Sequence, residues 1–144
     1  MLIEVDGWTG CFRHLTHAGG ATSRGQDLTV ALYDSVLAQA CNLGLTRMAE
    51  VSDLSYRQLA GATEWYLHEE TLNAVSAEIV NHHHRRWLAQ AWGGGTLSSS
   101  DGQRFPVAVK SANAASLPRY FGQGRGITAY TLVSDQLTAY ATKV

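Results

Sequence analysis

Residues 92–105, which read WGGGTLSSSDGQRF, mark the point at which the chain changes character. Before them, residues 27–84 carry apolar side chains at helical spacing without an interrupting proline. After them, Ile127–Val133 and Leu137–Val144 are rich in the β-branched and aromatic residues that favour strands. Because helices come first and strands second, the sequence predicts an α+β fold.

Start and stop signals divide the helical part into separate helices. Asp27 can cap the first of them, and Gly44 stands where a left-handed residue would end it. Ser55 and Gln58 match a capping box, in which each side chain satisfies a free backbone N–H at the start of a helix. We therefore expect helices at 27–43, at Leu45–Val51, from Ser55 onward and near 70–84.

The segments outside these helices are expected to be less regular. Glycines repeatedly break the beginning of the chain, where we expect only a short strand at Leu2–Val5. The glycines and serines of 93–100 predict a flexible stretch, and 111–126 predicts a loop or a broken hairpin arm. Pro106 favours an edge position for the strand between them. That strand is indicated by the alternation of Phe105, Val107 and Val109.

Composition excludes several classes of protein. The chain has 144 residues, about one domain, and its 45% hydrophobic and 16% charged residues exclude a disordered charged tail. Its apolar runs are far shorter than the ~20 residues of a membrane helix, and Met1–Asp6 shows no export signal. Cys11 and Cys41 are too few for a disulfide scaffold, and we expect buried or idle thiols in a reducing cytoplasm.

Charge is divided unequally along the chain. Residues 1–84 carry four basic and ten acidic groups, a net of −6, whereas residues 85–144 carry seven and two, a net of +5. A basic half can face a polyanion, and the alternative is an acidic helical half beside a lightly charged sheet. The candidate DNA-binding residues of the basic half, which lie beside Tyr120 and Tyr130, are Arg85, Arg86, Arg104, Arg119 and Arg125.

Three clusters have the composition of chemical sites. Successive helical residues point about 100° apart, so His82–His84 cannot all bind one ion. Their other interpretations are favourable charge at a helix C-terminus and contact with a phosphate backbone. Cys11 near two histidines lacks a third group to orient a thiol mechanism. Asp101–Gly102 is typical of a turn, but a strand carboxylate flanked by small residues also suits metal-dependent phosphoryl transfer.

Several segments taken together are more specific than any single cluster. LIEVDGWTG opens the chain at 2–10, NLGLTRMAE follows at 42–50, and SSSDGQRF stands at 98–105. YRQLA, WY and ET lie between them, and YT, VSDQ and TKV follow towards residue 144. In this order, across essentially the whole chain, the segments resemble transposases of the Tn3 family of replicative transposons.

This resemblance implies a DDE transposase with an RNase H-like core. In such an enzyme, Mg²⁺ held by two aspartates and a glutamate would cleave transposon ends, and the free 3′-OH would then attack target DNA. The implied partner is DNA, and no membrane association is implied. The implied organisation is a mainly helical region at 1–92, with helices over about 27–90, followed at 93–144 by the first antiparallel strands of an incomplete core.

The catalytic residues of the resembled family carry over only in part. Gly94 stands where the family has an aspartate, so the first carboxylate belongs either to that position or to Asp101. Asp101 is the surviving candidate for the catalytic and metal-binding carboxylate. Asp135 matches an acid that we expect to support the core strands. The family's second aspartate and its glutamate lie beyond the position matching Val144.

The sequence therefore predicts a truncated transposase fragment that is catalytically inactive alone. A triad acts as a unit, so the loss of one member should abolish strand transfer. The alternatives are a non-catalytic DNA-binding module, carried by the basic half, and a remnant without function whose exposed sheet edges favour aggregation.

Overall fold

The computed structural model describes residues 1–20, 25–108 and 112–144 and shows helices followed by an antiparallel sheet. The α+β fold class is thereby confirmed, whereas Val109, expected in a strand, lies outside the described residues. The first helices are α1 (Leu2–Thr9), a 3₁₀ helix (Cys11–His14), α2 (Gln26–Ala40), α3 (Leu45–Val51), α4 (Tyr56–Tyr66) and α5 (Glu69–His84). The later elements are α6 (Trp87–Gln90), β1 (Ser98–Val107), α7 (Pro118–Phe121), β2 (Arg125–Ser134) and β3 (Ala139–Lys143).

The chain forms two compact units, Met1–Ile79 and Val80–Val144. In the first unit, Leu32 of α2 and Leu59 of α4 are buried in apolar clusters. Ser35 is equally buried, and its hydroxyl donates a hydrogen bond to the Leu59 carbonyl at 3.2 Å, so its burial leaves no unpaired polar atom. The first unit is thus stabilised by apolar packing between its helices.

The beginning of the chain departs from the sequence prediction. The strand expected at Leu2–Val5 is wrong, because these residues belong to α1. Gly10, at φ 63°, ends α1 in the left-handed conformation that glycine adopts without strain. The Asp6 carboxylate accepts hydrogen bonds from the Phe12 N–H at 2.8 Å and the Tyr33 hydroxyl at 2.6 Å. These tertiary contacts fasten α1 to its unit and are invisible to a local pattern.

The capping box and the short helix after α2 are confirmed. Leu45–Val51 is helical over the predicted residues. At the start of α4, the Ser55 hydroxyl accepts from the Gln58 N–H at 3.4 Å, and Gln58 Oε1 accepts from the Ser55 N–H at 2.9 Å. Both signals are local, which is why the sequence alone reveals them.

The expected ends of α2 are wrong. Gly25 occupies the N-cap, and Asp27 lies inside the first turn, where its charge suits the positive end of the helix dipole. The helix ends at Ala40, before the predicted residue 43. Gly44 does adopt a positive φ of 78°, but as the residue preceding α3. In the described parts of the chain, no helix has the length and apolar character needed to cross a membrane.

The sheet has the strand order β1-β2-β3, with both neighbouring pairs antiparallel. Two expectations are corrected here, because Ser98–Ser100 are strand rather than a flexible stretch and Asp101–Gly102 lies within β1 rather than in a turn. Pairing along the whole of β2 overrides the weak strand propensity of these serines and of Gly102. Pro106 lies in an edge strand, as predicted.

Glu78 connects α5 to the 3₁₀ helix through contacts with Arg13 and His14. Its Oε2 lies 3.4 Å from His14 Nε2 and 2.9 Å from Arg13 Nη2. The hydrogen bond with His14, followed by the charge of Arg13, lowers the pKa of Glu78. A lowered folded-state pKa stabilises the fold above the unfolded-state pKa, and this stabilisation disappears as the pH falls through the folded-state value.

We expect Glu78→Gln to lower the urea midpoint of the first unit slightly near neutral pH. The difference from the parent chain should disappear in acid, because the carboxyl of Glu78 is then protonated and no longer ion-paired. Urea titrations at the two pH values, followed by helical circular dichroism, measure both effects. Glu64→Gln, at an exposed position of α4, is the control and should change neither midpoint. An unchanged neutral midpoint for Glu78→Gln would contradict the assignment.

Candidate functional site

Asp101 lies in the middle of β1, opposite Thr131 of β2. Its side chain is exposed and, among the residues that the structure describes, it makes no hydrogen bond or ion pair. Side chains alternate along a strand, so Ser99 and Gln103 share the side of the sheet that we call the Asp101 face. This face presents a carboxylate to solvent between the polar side chains of Ser99 and Gln103.

The opposite side of the sheet, which we call the basic face, carries Gly102, Arg104, Tyr130 and Lys143. Tyr130 is paired with Gly102 on one side and with Lys143 on the other. A methyl group at Gly102 would come within 2.9 Å of the Tyr130 ring, so the ring lies over this glycine. The structure therefore separates Asp101 and Arg104, two predicted site residues, onto opposite faces.

The turn between β2 and β3 is held by Asp135. Its Oδ1 accepts a hydrogen bond from the Gly95 N–H at 2.8 Å, and its Oδ2 accepts one from the Leu97 N–H at 3.5 Å. The Asp135 N–H in turn donates to the Leu97 carbonyl at 3.0 Å. Both carboxylate oxygens thus fasten the segment preceding β1, which is the supporting role expected for this acid.

Gln136 joins the histidine cluster to the same turn. His84 Nδ1 donates to Gln136 Oε1 at 2.8 Å, and His83 Nε2 donates to the Gln136 carbonyl at 3.0 Å. The Gln136 amide completes the network by donating to the Gly93 carbonyl at 3.0 Å. His82 instead accepts from the Arg86 guanidinium. Two of the three histidines are therefore structural, and no triplet of His, Cys, Asp or Glu among the described residues could hold a metal ion.

Sequence reasoning missed Gln136 because it read the VSDQ motif only for its acid. Gln136 is 3% exposed although it is polar and lies in a turn. The match of the whole VSDQ motif to the family was the signal that could have indicated Gln136. A buried amide needs hydrogen-bond partners, and those of Gln136 lie far away in the sequence. Gly93 was missed in the same way, because the glycines were interpreted only as a flexible turn.

We expect Gly93→Ala to disrupt this network and Gly94→Ala to leave it intact. A methyl group at Gly93 would overlap the Asp135 carboxylate, with Oδ2 at 2.6 Å and Cβ at 2.8 Å. At Gly94 a methyl group meets no atom within 4 Å, so this matched variant is the control. Hydrogen exchange of the Gly95 amide should quicken roughly tenfold or more in Gly93→Ala alone, the effect of losing one hydrogen bond worth ~1.4 kcal/mol. Equal exchange in both variants would contradict the prediction.

Position 94 is, beside Asp101, the other candidate position for the first catalytic carboxylate. The open space around Gly94 could accommodate the aspartate that the resembled family has there. Gly94 belongs to the loop before β1, whereas Asp101 belongs to the strand itself. The other acid of residues 85–144 is Asp135, and both of its oxygens accept N–H groups, from Gly95 and Leu97.

The five predicted DNA-binding arginines fall into two groups. Arg85 and Arg86 follow the histidines that contact Gln136, at the Ser98 end of β1. The other three, Arg104, Arg119 and Arg125, lie towards the opposite end of β1, roughly 20 Å away at the rise of an extended strand. All five side chains are exposed, and none of them forms an ion pair with a carboxylate in the described part of the chain.

The helix α7 brings Tyr120 against Arg104. The Arg104 guanidinium lies 3.8 Å from the centre of the Tyr120 ring, and that of Arg119 lies 5.7 Å from it. The neighbouring Phe121 ring covers Gly126 of β2, which has no side chain to displace it. Backbone hydrogen bonds of 2.9 and 3.0 Å between residues 115 and 126 fasten the same loop. The loop predicted at 111–126 is therefore anchored where it is described.

A thiol mechanism has no support in the structure. Cys11 is buried, and burial raises the pKa of its thiol, so the reactive thiolate is disfavoured. His14 contacts Glu78, and His17 stacks on the Trp65 ring with 5.0 Å between ring centres. Both histidines are thus engaged in structural contacts.

Comparison with known proteins agrees with the resemblance seen in the motifs. The family model described as the Tn3 transposase DDE domain matches residues 1–144. The chain is 38% identical to the transposase for transposon Tn1546 of Enterococcus faecium over 145 residues, covering 100% of this chain and 15% of that protein. It is 40% identical to the transposase for transposon Tn501 of Pseudomonas aeruginosa over 146 residues, covering 100% of this chain and 14% of that protein. It is 41% identical to the transposase for transposon Tn21 of Escherichia coli, with the same two shares. The chain thus spans about one seventh of the length of these relatives, and it belongs to the Tn3 transposase family through its DDE domain.

Proposed function

We propose that the chain is a part of a transposase that acts on DNA at transposon ends by metal-dependent strand cleavage and transfer. The observation that carries this proposal is the family match over residues 1–144, in which the SSSDGQRF segment forms β1 and exposes Asp101. The family's DDE domain implies a divalent metal cofactor. Because the relatives are much longer, cleavage is proposed for the whole protein to which such a chain contributes.

We propose Mg²⁺ as the metal and Asp101 as one of its carboxylate ligands and as a catalytic residue. Phosphoryl transfer of this kind needs several carboxylates that converge on the metal ions. Within the described ranges no three ligating side chains come together, and both oxygens of Asp135 accept N–H groups. The residues present do not by themselves fit a complete metal centre, so we assign no catalytic step to a metal on this chain alone.

The chain alone is therefore expected to leave transposon-end DNA intact. A carboxylate triad acts as a unit, and a lone Asp101 should give no measurable strand transfer. Incubation of an end-labelled duplex with the chain and Mg²⁺ or Mn²⁺, followed by a denaturing gel, measures cleavage. Asp101→Asn is the matched control, since nicking that survives it comes from a contaminant. Specific nicking that requires Asp101 would overturn the prediction.

A second candidate function is that of a non-catalytic DNA-binding module. The observation that favours it is a set of exposed arginines that make no ion pair with a carboxylate among the described residues and that could neutralise phosphates. The residues proposed to contact DNA are Arg85, Arg86, Arg104, Arg119 and Arg125. A gel-shift titration of duplex DNA at low salt tests this candidate, and the absence of any shifted band would end it.

We further propose that β1, β2 and β3 belong to an RNase H-like core. The proposed organisation has a mainly helical region at 1–92 and an incomplete part of the core at 93–144. An antiparallel sheet whose edge strand carries an exposed Asp101 supports this assignment. Action on DNA would place the protein in the cytoplasm. An unfolded remnant would show no cooperative thermal transition. Calorimetry of the chain therefore tests that alternative.

A further inference from the structure

Two half-exposed tyrosine rings lie in a row on the basic face. Tyr130, 50% exposed, covers Gly102, and Tyr120, 48% exposed, lies under the Arg104 guanidinium at 3.8 Å. Gly102 and Arg104 are two residues apart on one strand, so their Cα atoms lie roughly 7 Å apart. Each ring is held by a neighbour and still has much of its surface open to solvent.

Positive charge surrounds these rings. Arg104 and Arg119 flank Tyr120, and Lys143 is paired with Tyr130 across the β2–β3 ladder. The acids of residues 85–144 are Asp101 and Asp135, and the first of them points to the opposite face. The second, in the β2–β3 turn, accepts hydrogen bonds from the backbone N–H groups of Gly95 and Leu97. The basic face therefore has the charge that complements a row of phosphates and the rings that complement bases.

We propose that the basic face binds single-stranded DNA, with one base stacked on each of Tyr120 and Tyr130 and phosphates on Arg104, Arg119 and Lys143. This inference rests on the proposed DNA-binding function and names the form of DNA that the site takes. Aromatic side chains in a positive groove bind single strands because every base has a face on which to stack. In a duplex the bases stack on one another at ~3.4 Å per step and are not available to the rings.

The position of the two rings also sets the role of this surface. A strand on the basic face lies on the side of the sheet away from Asp101. Such a strand is held rather than presented to that carboxylate.

Binding of labelled DNA to the full 144-residue chain tests the proposal. The probes are an oligothymidylate of about 12 nucleotides and a duplex of the same length, both followed by fluorescence anisotropy at low salt. Tyr120→Ala and Tyr130→Ala should each raise the Kd for the single strand about fivefold or more, the effect of losing one stacked base, and leave the duplex Kd within about twofold. The phenylalanine variants keep the rings and should bind like the parent chain.

The control and the contrary outcomes distinguish this proposal from the function on which it rests. Tyr56→Ala removes a tyrosine that is 55% exposed on α4 of the first unit and should change neither Kd. Equal losses for both DNAs, or no loss for the single strand, would overturn single-strand stacking while leaving duplex binding in place. Binding of neither DNA by the parent chain would overturn both proposals. Circular dichroism of each variant establishes that it is folded before its Kd is compared.

Discussion

Replacing Arg104, Arg119 and Arg125 together with glutamine is expected to lower markedly the slope of log duplex affinity against log salt. Each neutralised phosphate contributes about 0.9 to the slope of log affinity against log salt, so three arginines contribute roughly 2.7. Between ~50 and ~200 mM salt this slope corresponds to a change of roughly 40-fold in affinity. The three side chains are exposed and make no ion pair with a carboxylate in the described part of the chain, so glutamine leaves no buried charge unpaired.

Anisotropy titrations of a duplex at several salt concentrations measure this slope. Arg47→Gln with Arg57→Gln is the control, because both arginines are exposed on helices of the acidic first unit. The control should lower the slope by far less than the triple variant. A slope that is unchanged in the triple variant would show that these arginines do not contact phosphates, and Arg85 and Arg86 would then be the remaining candidates.

Leu59→Ala is expected to destabilise the helical unit more than any change at its surface. Leu59 is fully buried and packs with Ala38 and Met48, the side chains by which α2 and α3 meet α4. Truncating such a leucine removes buried apolar area and leaves a cavity, at a typical cost of about 2–5 kcal/mol. Since whole domains are stable by only about 5–15 kcal/mol, the loss should be visible as partial unfolding at moderate temperature.

Thermal unfolding followed by helical circular dichroism measures this loss. Leu72→Ala makes the same chemical change at a position of α5 that is 45% exposed, and it should cost far less. Equal shifts of the two variants would mean that α4 does not hold the unit together as described. Because the chain forms two units, the amides of α2 and α4 should also lose hydrogen-exchange protection before those of the sheet.

Features that depend on neighbours in the chain could be predicted from the sequence. The capping box at Ser55 and the limits of Leu45–Val51 were predictable because the partners of each backbone group lie within one helical turn. The order of helices and strands followed from the change of pattern near Trp92. The ordered motifs predicted the family, because a long series of matching segments is far more specific than any single one.

Features that depend on distant residues could not be predicted in this way. Leu2–Val5 lies in α1, whose Asp6 bonds to Phe12 and Tyr33. Ser98–Ser100 lie in β1 and pair with β2, and this pairing outweighs their weak local preference for a strand. His83 and His84 likewise bind Gln136, which lies more than 50 positions away in the sequence.

The same division applies to the candidate site. Residue identity and order were enough to indicate the family, the basic half, Asp101 and the arginines. The folded chain adds that Asp101 and Arg104 lie on opposite faces of one paired strand and that Tyr120 meets Arg104 through α7. The physical reason is that side chains alternate along a strand, and residues 98–107 form one strand because they pair with β2, which is distant in the sequence.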